Sequence, residues 1–216
     1  MEISMQELSM LIKTLGMVST NCYFLMNEET KEAIIVDPAS HGNVIGGVLN
    51  AKALTPKAIL LTHGHFDHIG AVEELRRAYP ELVVYASELE KEVLAKPEWN
   101  LSKALGGKSE SLQADVYLKD GEILELLGHQ IICLSTPGHT LGGMCYYFKD
   151  MNWLISGDTL FEGSVGRTDF PTGSARTLVD SIKEKLLSLP EDTMVYPGHG
   201  AATSIGFEKW SNPFLV

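Results

Sequence analysis

Four short apolar runs in this chain each end in a turn that carries histidine or aspartate, and seven such side chains fall there: His63, His65, Asp67, His68, His139, Asp158 and His199. A chain that repeats strand, turn and ligand-type side chain four times must gather those strand ends along one edge of its fold if the side chains are to act together. Such a cluster is what a hydrolytic centre built on two metal ions requires.

The densest stretch is Thr62-His63-Gly64-His65-Phe66-Asp67-His68-Ile69-Gly70, entered from Ala58-Ile59-Leu60-Leu61 and left through Ile69, Val72 and Leu75 at helical spacing. It is therefore expected to be a strand-to-helix turn. Side chains two apart in extended backbone point the same way, so His63 and His65 can grip one ion while Gly64 leaves the backbone uncrowded. Where the chain turns into helix, Asp67 and His68 are redirected and can reach a second ion. Asp67 also suits a helix N-cap, and His68 a first-turn surface position, but neither reading explains three histidines and an acid within six residues.

Three more segments repeat the pattern. Gln130–Leu134 leads to Thr136-Pro137-Gly138-His139, Trp153-Leu154-Ile155 leads to Gly157-Asp158-Thr159, and Met194-Val195-Tyr196 leads to Pro197-Gly198-His199-Gly200. Glycine and proline before His139 and His199 mark sharp turns from which an imidazole can project. The remaining histidines, His41 and His129, stand in polar turns and are read as surface residues.

With 216 residues and 44% hydrophobic content, the chain can bury a sizeable core, and no linker or repeat divides it, so one domain over 1–216 is expected. Strands are predicted at 8–14, 21–27, 32–36, 57–62, 82–85, 122–126, 130–135, 144–149, 152–156 and 193–196. Helices are predicted at 43–52, 67–78, 87–95 and 174–188, the last capped by Ser174. Residues 96–113, polar but for Trp99 and a few others, form either a lid or a solvated connection, with the connection preferred.

A net charge of −11 with no Lys/Arg cluster argues against a nucleic-acid surface. The start, Met1 to Glu7, lacks the basic and apolar run of an export signal, and no later run reaches the ~20 apolar residues that cross a bilayer. A cytoplasmic protein is expected, acting on a small molecule, without a nucleic-acid or membrane partner. Cys22, Cys133 and Cys145 lie in predicted strands and read as buried, reduced thiols.

On these motifs the chain resembles the metallo-β-lactamase superfamily: the HxHxDH signature stands as His63, His65, Asp67 and His68, with His139, Asp158 and His199 matching the later ligands. The resemblance implies an α/β fold, a four-layer αββα sandwich, with His63, His65 and His139 on a first metal, Asp67, His68 and His199 on a second, and Asp158 bridging. It implies two divalent cations, zinc first, with iron or manganese as alternatives. Asp37, in Ile34-Ile35-Val36-Asp37-Pro38, matches a supporting position near the site, or is simply a strand-end acid before proline.

Asp158 and the stretch Gly163 to Phe170 point within the superfamily to glyoxalase II-like hydrolases, of the short type without the additional C-terminal helical domain. Arg167 matches a substrate-binding cation that holds a glutathione carboxylate, while Asp169 stands where the relatives have an aromatic; Arg167 also reads as a surface partner of Asp169. The implied reaction is thioester cleavage, S-lactoylglutathione or a related acyl-thiol, by a hydroxide bridging two cations, with Asp67 or Asp158 orienting it. Iron-dependent persulfide dioxygenation, lactone hydrolysis and a redox partner role are the alternatives.

Overall fold

The computed structural model describes residues 8–216, so the reading of Met1 to Glu7 lies outside the described residues. The burial of β2 explains why that strand lies between two layers. In β2 (Thr20–Asn27) every residue is buried, with Cys22, Phe24 and Met26 in one apolar cluster and Tyr23 and Leu25 in another. A strand apolar on both faces must be covered on both faces.

The first sheet has the order β1 (Leu8–Leu15), β2, β3 (Glu32–Val36), β4 (Thr55–Leu60), β5 (Val83–Ser87), β6 (Val116–Leu118). Its first two pairings are antiparallel, through short connections. The next three are parallel, and two of those crossovers carry the helices α1 (Gly42–Ala51) and α3 (Val72–Ala78). The second sheet runs β14 (Thr203–Ser204), β13 (Met194–Pro197), β10 (Trp153–Gly157), β9 (Met144–Phe148), β8 (His129–Ser135), β7 (Ile123–Leu126).

Three apolar clusters define the layers. Tyr23, Leu25, Ile34 and Leu60 of the first sheet meet Ile131, Cys133, Tyr146 and Ile155 of the second in the middle. Phe24, Ile35 and Ile59 pack outward against Ile45 and Leu49 of α1 and Val72 and Leu75 of α3. Tyr147, Leu154 and Val195 pack on the opposite side against Leu178, Ile182, Leu186 and Ile205, from α5 (Ala175–Ser181), the turn beyond it and α6 (Ile205–Ser211). This is the expected αββα sandwich.

Local departures have local causes. The helix predicted at 67–78 is broken into α2 (Phe66–Ile69) and α3, because the Gly70–Ala71 backbone runs against the turn after β3. The Ala71 N–H donates to Pro38 O at 2.9 Å, and a Cβ at Gly70 would stand 2.5 Å from Ala39 O. The helix at 87–95 begins as a 3-10 turn, Glu88–Glu90, capped by Ser87, before α4 (Lys91–Ala95). That at 174–188 is capped by Ser174 as expected, but widens into a π-helical turn at Ile182–Leu186.

Sequence patterning missed β6, the β11 (Leu160–Phe161) and β12 (Ser164–Val165) hairpin, β14 and α6, elements of two to seven residues, most too short to display a period. His41 is exposed, as expected. His129 is not: it opens β8 and is buried, since its pairing with Leu126 draws it into the sheet. Cys22, Cys133 and Cys145 are buried free thiols. Among the described residues, no helix is long and apolar enough to cross a membrane.

Candidate metal centre

The turns that follow β4, β8, β10 and β13 converge at one end of the two sheets. His63 and His65 leave β4, Asp67 and His68 lie in α2, His139 follows β8, Asp158 follows β10 and His199 follows β13. His65, not Asp67, occupies the N-cap of α2, which leaves the Asp67 carboxylate to accept from Thr20 Oγ1 at 2.8 Å and to face His199 Nε2 at 3.3 Å.

Three overlapping groups have ligand atoms within 4.8 Å of one another: His63, His65 and His139; His63, His68 and Asp158; and Asp67, His68 and His199. His65 Nδ1 and His139 Nε2 are 3.0 Å apart. Asp158 stands between the sets, with Oδ1 3.5 Å from His68 Nε2 and Oδ2 3.5 Å from both His139 Nε2 and His199 Nε2. All seven sequence-predicted ligands are therefore together.

The donor set fits divalent cations. His63 Nε2, His68 Nε2 and Asp158 Oδ1 are buried without a hydrogen-bond partner and point into the cluster, an arrangement that costs free energy unless something electropositive meets them. The outer nitrogens are meanwhile fixed. His68 Nδ1 pairs with Asp37 Oδ2 at 2.9 Å, His139 Nδ1 with Arg167 O at 2.7 Å, and His63 Nδ1 with Thr62 Oγ1 at 3.1 Å. Such contacts set the ring orientation and leave Nε2 for a metal. Asp37 is buried and also accepts from Thr62 N and Oγ1, at 2.8 and 2.6 Å, so it is a supporting residue and not merely a strand-end acid.

Electrostatics divide the cluster. Burial pushes His63 well below the usual imidazole range and His65 down to about 3, and lowers His139 too, so these rings are neutral near pH 7. Burial also opposes charge on His68 and His199, but Asp67 and Asp158 prevail: His68 is raised well above its ordinary value and His199 to about 10. Burial likewise works against Asp158, yet His68, His199 and His139 hold it at about 2. A cation entering here displaces protons from His68 and His199.

A cavity of about 260 Å³ opens over these side chains, walled by Val18, Phe66, Leu101, Leu105, Arg167 and Phe170. Leu101 and Leu105 come from the segment expected to be a solvated connection, and the structure corrects that preference. Asn100 is buried, its Nδ2 donates to Leu94 O and Glu110 O, and its carbonyl accepts from Phe66 N at 2.8 Å, so the segment is anchored beside the metal motif and forms a wall of the cavity. Arg167 lies at the rim. Its guanidinium makes a two-pronged contact with Asp169, at 2.8 and 2.7 Å, and sits 3.9 Å over the Phe170 ring.

Apart from Asp37, the supporting residues escaped the sequence reading because they belong to no motif. Asn21 Nδ2 donates to Pro197 O and Gly200 O, and Tyr23 Oη donates to Pro197 O at 2.5 Å, so the start of β2 clamps the His199 turn. Glu90 reaches two ligand turns from the 3-10 turn after β5. Of these others, Thr62, adjacent to His63, carried a positional hint.

Comparison with known proteins agrees with this geometry. Residues 15–199 match the metallo-beta-lactamase superfamily. The chain is 43% identical over 201 residues to the probable metallo-hydrolase YqgX of Bacillus subtilis, covering 93% of this chain and 94% of that protein. It is 37% identical over 196 residues to the hydroxyacylglutathione hydrolase GloC of Haemophilus influenzae, covering 90% and 92%. Among solved structures, BLEG-1 B3 metallo-beta-lactamase superposes with a TM-score of 0.90 at 40% identity, covering 96% of this chain and all of the other. TTHA1623 in a di-iron-bound form gives 0.82 at 36%, covering 95% and 100%. The chain belongs to the metallo-β-lactamase superfamily and has the fold and candidate metal-binding residues of a metal-dependent hydrolase of that family.

Proposed function

We propose that the protein is a thioesterase of the glyoxalase II type, hydrolysing S-lactoylglutathione or a related acyl-thiol at a centre of two divalent cations. Zinc is the first choice, and the mixed imidazole and carboxylate donors also suit iron or manganese. Bound there, such cations activate water near neutral pH and polarise a carbonyl oxygen. His63, His65 and His139 offer neutral nitrogens to the first cation. Asp67, His68 and His199 serve the second, and Asp158 lies between both groups. Asp67 and Asp158, both held ionised, supply acceptor oxygens that orient an attacking water.

The observation that carries the thioester reading is the composition of the cavity wall. Apart from the candidate ligands, its lining is Met17, Val18, Phe66, Leu101, Leu105 and Phe170, with Arg167 as the one polar side chain. An amide nitrogen must be protonated to leave, whereas a thiol of pKa about 8.5 leaves as its anion. The apolar wall suits the acyl group of such a substrate, and among the described residues it carries no acid that could protonate a leaving nitrogen. GloC, whose name is that of a hydroxyacylglutathione hydrolase, matches almost the whole chain.

The test combines elemental analysis of anaerobically purified protein with assays of thiol release from acyl-thiols and of oxygen uptake with persulfides. Two cations per chain with thiol release support the proposal. One iron per chain with oxygen uptake would replace it with the dioxygenase reading.

A further inference from the structure

Glu90 is a fully buried acid remote in sequence from every candidate ligand, yet both its oxygens face the metal centre's backbone. Oε1 accepts from Gly64 N at 2.8 Å. Oε2 accepts from Gly142 N at 2.8 Å and from Thr140 Oγ1 at 3.1 Å. Gly64 separates His63 from His65, and Thr140 follows His139 directly. One carboxylate thus ties together the two turns that carry those three histidines, although the turns come from different sheets.

The other ligands have different supports. Asp67 is held by Thr20, His68 by Asp37, and the His199 turn by Asn21 and Tyr23. We propose that Glu90 is a positioning residue dedicated to the three-histidine site, fixing the separation of His63 and His65 from His139 and so setting the affinity of that site alone. The inference rests on the two-cation reading above.

The chemistry of the position explains why an acid stands there. Three donors converge on two oxygens, one oxygen for each turn, and only a carboxylate accepts on both sides. Glutamine has the same shape but turns an NH2 towards one of the two turns, placing donor against donor. Burial makes that mismatch costly, and the turn facing it must move. Because ligand atoms hold a metal only within a narrow geometric tolerance, a small displacement of either turn weakens the site.

Glu90→Gln and Thr140→Val, which removes one donor while leaving the acid, are titrated with Co2+ against a competing chelator, with the visible spectrum reporting the ligand field of each site. The wild-type chain must first show two separable binding steps; a single step or none would overturn the two-cation reading and this inference with it. Given two steps, Glu90→Gln is expected to weaken the three-histidine site about 10- to 100-fold, as removal of an outer partner typically does. Thr140→Val should weaken the same site less. The step assigned to Asp67, His68 and His199 should keep its affinity and spectrum in both variants.

Equal weakening of both steps by Glu90→Gln would mark the residue as a general scaffold element and overturn the assignment, as would unchanged binding at both. Should Glu90→Gln fail to fold, Thr140→Val decides: selective loss at the three-histidine site supports the proposal, and loss shared by both sites or by neither refutes it.

Discussion

Asp37 Oδ2 lies 2.9 Å from His68 Nδ1 and 2.6 Å from Thr62 Oγ1, while Oδ1 accepts from Thr62 N, so one buried carboxylate steers two histidines. Thr62 Oγ1 gives its proton to Asp37 and receives one from His63 Nδ1, and His68 donates directly. Both Nε2 atoms are thereby left free to coordinate. Asp37 itself has φ of 49°, a conformation that asparagine also tolerates, which makes Asp37→Asn a clean probe. The variant should fold and lose about 10- to 100-fold in affinity for the ion held by His68, with a smaller loss at the ion held by His63. Chelator competition measures both, and unchanged affinities would remove Asp37 from the supporting shell.

Gly198 tests how tightly the cluster is packed. A Cβ there would overlap Asp158 Oδ1 and approach His68 Cε1 to 2.7 Å. Gly198→Ala must therefore displace two side chains from different elements, Asp158 after β10 and His68 in α2. The expected outcome is a folded protein, destabilised by about 1–3 kcal/mol from overpacking, with reduced occupancy of both metals. Thermal unfolding and elemental analysis check the two parts independently, and full occupancy in the variant would show that the ligands tolerate the displacement.

The sequence displayed this centre plainly because each ligand type sits beside a strand end, while the sandwich was legible through the family resemblance those ligands carry and not through runs such as Ile34-Ile35-Val36, which is buried throughout. Its supports other than Asp37 were hidden. Asn21, Glu90 and Thr20 act through contacts 26 to 179 residues away in the chain, which no local pattern encodes. Breaks such as that at Gly70–Ala71 were hidden too, because they arise from packing against a distant turn and not from helix propensity. The role of residues 96–113 was misjudged for the same reason: polar composition suggested solvent, while Asn100 spends its polarity on buried backbone carbonyls.

The charge state of the metal-free cluster predicts a stability maximum near pH 6.5. Above that pH the unfolded chain's histidines are neutral, whereas folded His68 and His199 keep their protons, the latter until about pH 10. Folding is then linked to proton uptake, so stability falls as pH rises from 6.5 towards 10. Below 6.5 the unfolded chain takes up protons that folded His63 and His65 refuse, and stability falls again as pH drops. Metal-loaded protein has no such protons to lose from His68 and His199, so its melting temperature should stay flatter between pH 7 and 9. Parallel unfolding curves for chelated and loaded protein across that range would sink this account.

Arg167 and Asp169 supply a pair of predictions with opposite signs. Proposed as the cation for an anionic thiol carrier, the Arg167 guanidinium has both prongs on Asp169 and is stacked on Phe170 at the cavity rim. The pair is exposed, so breaking it costs little, and a carrier carboxylate competes with Asp169 for the same fork. Arg167→Ala should raise KM for glutathione thioesters by about tenfold, with kcat and metal content retained, because a charge-assisted contact remote from the carbonyl contributes binding alone. Arg167→Lys should recover only part, since an ammonium cannot match the two-pronged geometry. Asp169→Asn should do the reverse, freeing the fork and lowering KM for the anionic substrate. A small uncharged thioester serves as the control, since its KM should move in none of the variants. If all three variants changed charged and uncharged substrates alike, Arg167 would belong to the support of His139, whose Nδ1 its carbonyl accepts, and the carrier would be recognised elsewhere.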